Sequence, residues 1–106
     1  APIFAPSSCT GMFREFKNLV QINFNNNFNT SKVTNMEEMF SYCSKLQTQI
    51  NIMNAGINTY SYMFRSALTD PDAYVIIGYT TETQSIAEAM KSTAGSSSSK
   101  ITLKQI

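Results

Sequence analysis

Thr34-Asn-Met-Glu-Glu-Met-Phe-Ser-Tyr-Cys-Ser-Lys-Leu46 is the stretch that decides how this chain is read. Val33, Met36, Met39, Phe40 and Cys43 recur at mostly three- and four-residue intervals, which predicts a helix with one apolar stripe. Thr34 and Glu37 stand at the two ends of a capping-box pattern, in which each side chain satisfies a backbone N–H left open by the first turn. Weaker copies lie on either side. Cys9-x-x-Met12-Phe13-x-x-Phe16 precedes it, and Tyr60-x-x-Met63-Phe64 and Ile86-x-x-Ala89-Met90 follow.

Each stripe leads into a short alternating run that predicts a half-buried strand. Leu19, Ile22 and Phe24 form the first, and Ile50 and Ile52 the second, with Gln49, Asn51 and Met53 on its other face. Val75 with Ile77, and Ile101 with Leu103, form the third and fourth. Met12, Met39, Met63 and Ala89 are 27, 24 and 26 residues apart, and Phe24, Ile52, Ile77 and Leu103 are 28, 25 and 26 apart. Two landmarks in step predict an α/β solenoid of about four turns, each with one short helix and one short strand. Residues 1–8, with two of the three prolines, are expected as an extended entry segment. Residues 9–106 then form a single repeat domain with units near 9–33, 34–58, 59–84 and 85–106. An extra residue between Leu46 and Ile50 predicts a bulge or altered turn. Gly95 suits a helix C-terminus, and Ser96 to Ser99 suit a flexible connection.

Composition narrows the function classes. The 106 residues are 42% hydrophobic and only 14% charged, with a net charge of +1, so no electrostatic footprint for nucleic acid is visible. No apolar run is long enough to span a bilayer, so membrane insertion is not expected. The opening Ala-Pro-Ile-Phe-Ala-Pro does not read as a signal peptide, and Cys9 lacks a lipobox before it. The chain has no histidine, which excludes imidazole catalysis and imidazole metal ligation. Its carboxylates are scattered, and Asp70-Pro-Asp72 is too short for a calcium loop. A non-enzyme without metal or cofactor is expected.

Thr30, Ser31, Val33, Thr34, Met36, Met39, Phe40, Cys43 and Leu46 fit the run Thr-Ser-x-Val-Thr-x-Met-x-x-Met-Phe-x-x-Cys-x-x-Leu. In this the chain resembles a bacterial surface-protein repeat of about 26 residues, found in mycoplasma and listerial lipoproteins and related to BspA-like leucine-rich repeats. The second unit matches well, the first and third in part, and the fourth in spacing alone. The resemblance implies a right-handed, leucine-rich-repeat-like solenoid, exposed on a cell surface and serving adhesion or interaction, with no catalytic residues.

Met12, Phe13, Met36, Met39, Phe40, Cys43, Met63 and Phe64 are expected as structural core. Cys9 takes the place of Met36, and Cys43 that of Phe16, so the two thiols should lie beyond the ~7 Å Cα reach of a disulfide. The candidate binding face is the outer side of the strands, where side chains alternate away from the core. Its expected rows are Gln21, Gln49, Tyr74 and Lys100, then Asn23, Asn51, Ile76 and Thr102, then Asn25, Met53, Gly78 and Lys104. Such a surface suits a protein or glycan partner, on a cell surface, in the extracellular space or on a virion. The alternative is a structural assembly protein, a phage or virion decoration or fibre component, that self-associates through its ends and the terminal strand.

Overall fold

The computed structural model describes residues 3–4, 7–22 and 28–106. Asn23, Phe24 and Asn25 lie outside these residues, as does half of the 1–8 entry segment. Strands β1 (Ile3–Phe4) and β2 (Phe28–Asn29) form a parallel pair. A separate parallel sheet has the order β3-β4-β5, built from β3 (Gln47–Ile52), β4 (Tyr74–Tyr79) and β5 (Ile101–Gln105). Helix α1 (Gln84–Ser92) lies between β4 and β5 in sequence, after a 3-10 turn Thr81–Thr83 and before a 3-10 stretch Gly95–Lys100.

The four-turn, leucine-rich-repeat-like solenoid does not form. The architecture is a small compact domain, 31 × 28 × 22 Å, with one three-stranded parallel sheet and a single α-helix among the described residues. The expected helices around Met12, Met39 and Met63 are chains of hydrogen-bonded turns instead. In the middle one, Met39 N–H donates to Met36, Ser41 to Glu38 and Cys43 to Phe40. The alternate N–H groups leave the segment altogether: Met36, Glu38, Phe40 and Tyr42 donate to the carbonyls of Thr59, Ser61, Met63 and Arg65 at 2.7–3.0 Å. Cys9, Gly11, Phe13 and Glu15 do the same toward Asn35, Glu37, Met39 and Ser41.

Apolar spacing could not distinguish these outcomes, because residues 36, 39, 40 and 43 point inward in either one. Local propensity does. Ser41, Tyr42 and Ser44 are poor helix formers, whereas α1 reads Gln-Ser-Ile-Ala-Glu-Ala-Met-Lys-Ser, rich in strong ones. The capping box at Thr34 is also absent. Thr34 Oγ1 donates to the Ser7 carbonyl at 3.3 Å, and Asn35 Oδ1 accepts the Glu37 N–H at 2.9 Å as an Asx-turn. A reciprocal box forms further on, between Thr80 and Thr83.

The core lies between the sheet and these turns. Met36, Met39, Phe40, Cys43, Leu46, Met63 and Phe64 are fully buried, and Met12 and Phe13 are half-buried against them. Phe13, Phe40 and Phe64 stack with ring centroids 5.5 Å apart at each step, which locks the three turn segments in register. On the sheet side, Ile50, Ile52, Val75, Ile77 and Ile101 point inward, joined by Ala87 and Met90 of α1.

Candidate functional site

The outer face of β3-β4-β5 carries most of the expected binding residues, but in a different register. Pairing runs unbroken from Gln47↔Tyr74 to Ile52↔Tyr79, so the expected bulge after Leu46 is absent. It continues with Ile76↔Thr102 and Gly78↔Lys104. Gln49 therefore stands beside Ile76 and Thr102, and Asn51 beside Gly78 and Lys104, each two residues from the expected row. Gln47, which was not expected on this face, stands beside Tyr74 and is bridged to Gln21. Asn23 lies outside the described residues.

The slip has a physical cause. Thr48 is polar and so was not counted in the inward stripe, yet it is buried, with Oγ1 donating to the Ile22 carbonyl at 2.7 Å. Inward positions are thus Thr48, Ile50 and Ile52, one more than the apolar pattern displays. Val75 pairs with Thr48 and Ile77 with Ile50. Only a search for buried hydroxyls at strand starts could have found this in the sequence.

Much of the face is held in place. Gln47 Nε2 donates to the Asp72 carbonyl at 3.1 Å, and Lys100 Nζ to that of Asp70. Gln49 Nε2 reaches Asn51 Oδ1 at 3.3 Å. Asp70 Oδ1 accepts the Asp72 N–H at 2.9 Å, so the turn that anchors Gln47 and Lys100 is itself ordered. Tyr74, Met53 and Ile106 are the large apolar side chains exposed here, at 44%, 38% and 50%. Thr102 and Lys104 are also exposed, and Ile76 is half-buried. Fixed amides beside an exposed aromatic ring provide both hydrogen-bond donors and acceptors and an apolar contact.

A second concavity lies elsewhere, between the third turn segment and the residues after α1. It is an open groove of about 540 Å³ lined by Tyr62, Arg65, Ser66, Thr93, Ser96 and Ser97, among others. No residue of it was expected in a site. Tyr62 and Arg65 flank the buried Met63 and Phe64, and their exposure depends on the turn geometry that replaces the helix.

A family model described as "Mycoplasma protein of unknown function, DUF285" matches residues 7–102. The chain belongs to the DUF285 family. This supports the mycoplasma side of the resemblance, a repeat family of that kind, and leaves its leucine-rich-repeat particulars unsupported. No curated protein and no solved structure matches this DUF285 member.

Its two cysteines are buried thiols, at 1% and 0% exposure. Burial raises the pKa of each, and for Cys43 a backbone hydrogen bond from Phe16 offsets part of the rise. Cys43 Sγ also donates to the Phe13 carbonyl at 2.8 Å. A raised thiol pKa disfavours the nucleophilic thiolate. Among the described residues no group of three or more His, Cys, Asp or Glu converges on a metal position, and no helix is long and apolar enough to cross a membrane.

Proposed function

We propose that this DUF285 protein is a non-enzymatic interaction module, and that the outer face of β3-β4-β5 is its contact surface for a protein or glycan. The observation that carries the reading is the pair Gln47 and exposed Tyr74 on neighbouring strands, with Gln47 and Lys100 both held by carbonyls of the Asp70–Asp72 turn. Groups already held in place lose little rotamer freedom on binding, which is where interfaces of modest area gain affinity. Tyrosine in such a setting supplies contact area and a hydroxyl together. The family resemblance supports a location on the cell surface.

The test is binding to host-cell glycans and surface proteins displayed on arrays, with Tyr74→Glu and Thr102→Glu as variants. Both positions are exposed, so thermal stability should change little while binding falls at least about tenfold. Asn51 is a poorer probe, because its side chain lies against Gly78. Undiminished binding by both variants rejects the surface.

The second reading, assembly through the terminal strand, is favoured by one observation. β5 pairs with β4 on one side and with no strand on the other among the described residues. An open edge is a template for another strand. Light scattering over a concentration series decides it, since a strict monomer at high concentration removes the edge as an assembly surface.

A further inference from the structure

The exchange of hydrogen bonds between turn segments stops unevenly at the third. In the first two, alternate N–H groups are taken by the next segment: Gly11 by Glu37 and Phe13 by Met39, then Glu38 by Ser61 and Phe40 by Met63. The corresponding donors of the third segment are Tyr62, Phe64 and Ser66. Phe64 N–H finds Thr93 Oγ1 at 3.2 Å. The N–H groups of Tyr62 and Ser66 have no acceptor among the described residues, and both residues line the groove.

Arg65 stands between them, and its backbone is fixed. Its carbonyl accepts from Tyr42 N–H at 2.8 Å and from Ser41 Oγ at 3.4 Å, and its own N–H donates to Tyr62 at 3.1 Å. The guanidinium carbon lies 5.1 Å from the centre of the Tyr62 ring, a cation–π contact that holds the group without neutralising it. Among the described residues no carboxylate lies within ion-pair distance of Arg65. The opposite wall adds Ser96 and Ser97, and no Asp or Glu lines the groove. One groove is thus lined by residues that carry a cation, two N–H groups with no acceptor among the described residues and several hydroxyls, with no carboxylate.

We propose that this groove binds a sulfate or phosphate oxyanion, free or carried as a monoester, with Arg65 as its counter-ion and the Ser66 N–H and the Ser96 and Ser97 hydroxyls as further donors. An oxyanion of this kind presents several acceptor oxygens and matches the planar fork of arginine. A cationic ligand would meet Arg65 unshielded. A neutral one would leave that charge without a partner.

The test is a ¹H–¹⁵N NMR titration of the full chain at constant ionic strength, using inorganic sulfate, inorganic phosphate and a sulfated disaccharide. Saturable shifts are expected at the Ser66, Ser96 and Ser97 amides. Arg65→Ala should weaken binding by about tenfold or more, the scale of one lost charge-assisted interaction. Arg65→Lys should fall between, keeping charge but not the fork. Ser96→Glu, at an exposed position, should abolish binding through like-charge repulsion, and Lys17→Ala, outside the groove, should leave it unchanged. Tighter binding of the disaccharide than of sulfate places the anion on a sugar, and equal binding assigns the simple ion; both support the site. Shifts that never saturate, or that persist in Arg65→Ala and Ser96→Glu, overturn it.

Discussion

Gly78 and Asn51 share one register position on neighbouring strands, and a Cβ on Gly78 would lie 2.2 Å from Asn51 Oδ1. The Asn51 side chain thus occupies the space a residue at 78 would fill. Ile106 Cγ2, only 2.8 Å from the same point, closes the other side. A side chain at 78 requires the ends of the Asn51 and Ile106 side chains to move.

Gly78→Ala should therefore cost up to about 1 kcal/mol in chemical denaturation, the low end for an added methyl, because side-chain ends and not backbone must give way. Asn51→Ala should restore most of that loss in the double variant, because it vacates the contested volume. Strict additivity of the two changes would show that Asn51 is not the obstacle.

Backbone strain in the turn segments supplies a second prediction. Gly11, Glu38 and Tyr62 occupy equivalent places, with φ of 60°, 55° and 58°. The left-handed conformation costs a residue with a Cβ about 1–2 kcal/mol. Gly11→Ala should then destabilise by about 1 kcal/mol. Glu38→Gly should be neutral or gain up to about 1 kcal/mol, after allowing for the greater freedom of an unfolded glycine. Loss of the Arg14–Glu38 pair, 3.9 Å apart and partly exposed, should subtract little. Thermal unfolding of the two variants in opposite directions is the expected result. Parallel shifts would show that strain at 38 is relieved elsewhere.

These strained positions also explain what the sequence could and could not disclose. The period was legible because Met12, Met39 and Met63 are equivalent places, held in register by the Phe13–Phe40–Phe64 stack. The conformation within the period was not, because i, i+3, i+4 spacing is shared by a helix and by consecutive turns. The warning sign was the run of poor helix formers Ser41, Tyr42 and Ser44; the left-handed backbone at Tyr42 and Ser66 is something no apolar pattern reports. Outward strand faces were legible residue by residue, but their rows were not, since one buried threonine shifts the register by two. The groove at Arg65 was invisible for a related reason. It exists only where the exchange of hydrogen bonds between segments stops.

Buried threonine hydroxyls supply a third prediction, at the end of β3. Thr83 Oγ1 donates to the Ile52 carbonyl at 2.8 Å, out of solvent, and accepts the Thr80 N–H at 2.8 Å in a part-buried bond. Thr83→Val preserves shape but leaves a buried donor and acceptor unmatched, which should cost about 1–3 kcal/mol. Thr83→Ser keeps both bonds and should lose less. Urea denaturation of the pair separates the hydroxyl's contribution from that of the methyl; an equally unstable serine variant would assign the effect to packing.

Cys9 and Cys43 make stability depend on pH in the alkaline range. Burial raises each thiol above its ordinary pKa of 9.0 in the folded chain. The unfolded chain, with no such burial, releases these protons first as pH rises. Well below pH 9.0 both states hold the protons and the thiols impose no slope. Above it the unfolded state binds fewer protons than the folded one, so folding stability falls as pH rises toward the folded pKa. Tyrosine and lysine titrate nearby, so the informative comparison is with Cys9→Ala/Cys43→Ala, which is less stable at neutral pH but should lose less stability between about pH 9 and pH 11. Urea midpoints measured across that range should converge as pH increases. If the two curves stay parallel, the thiols do not carry the dependence. A thiol reagent at neutral pH gives an independent reading: both cysteines should react slowly in the native protein and at the rate of free thiols once urea unfolds it.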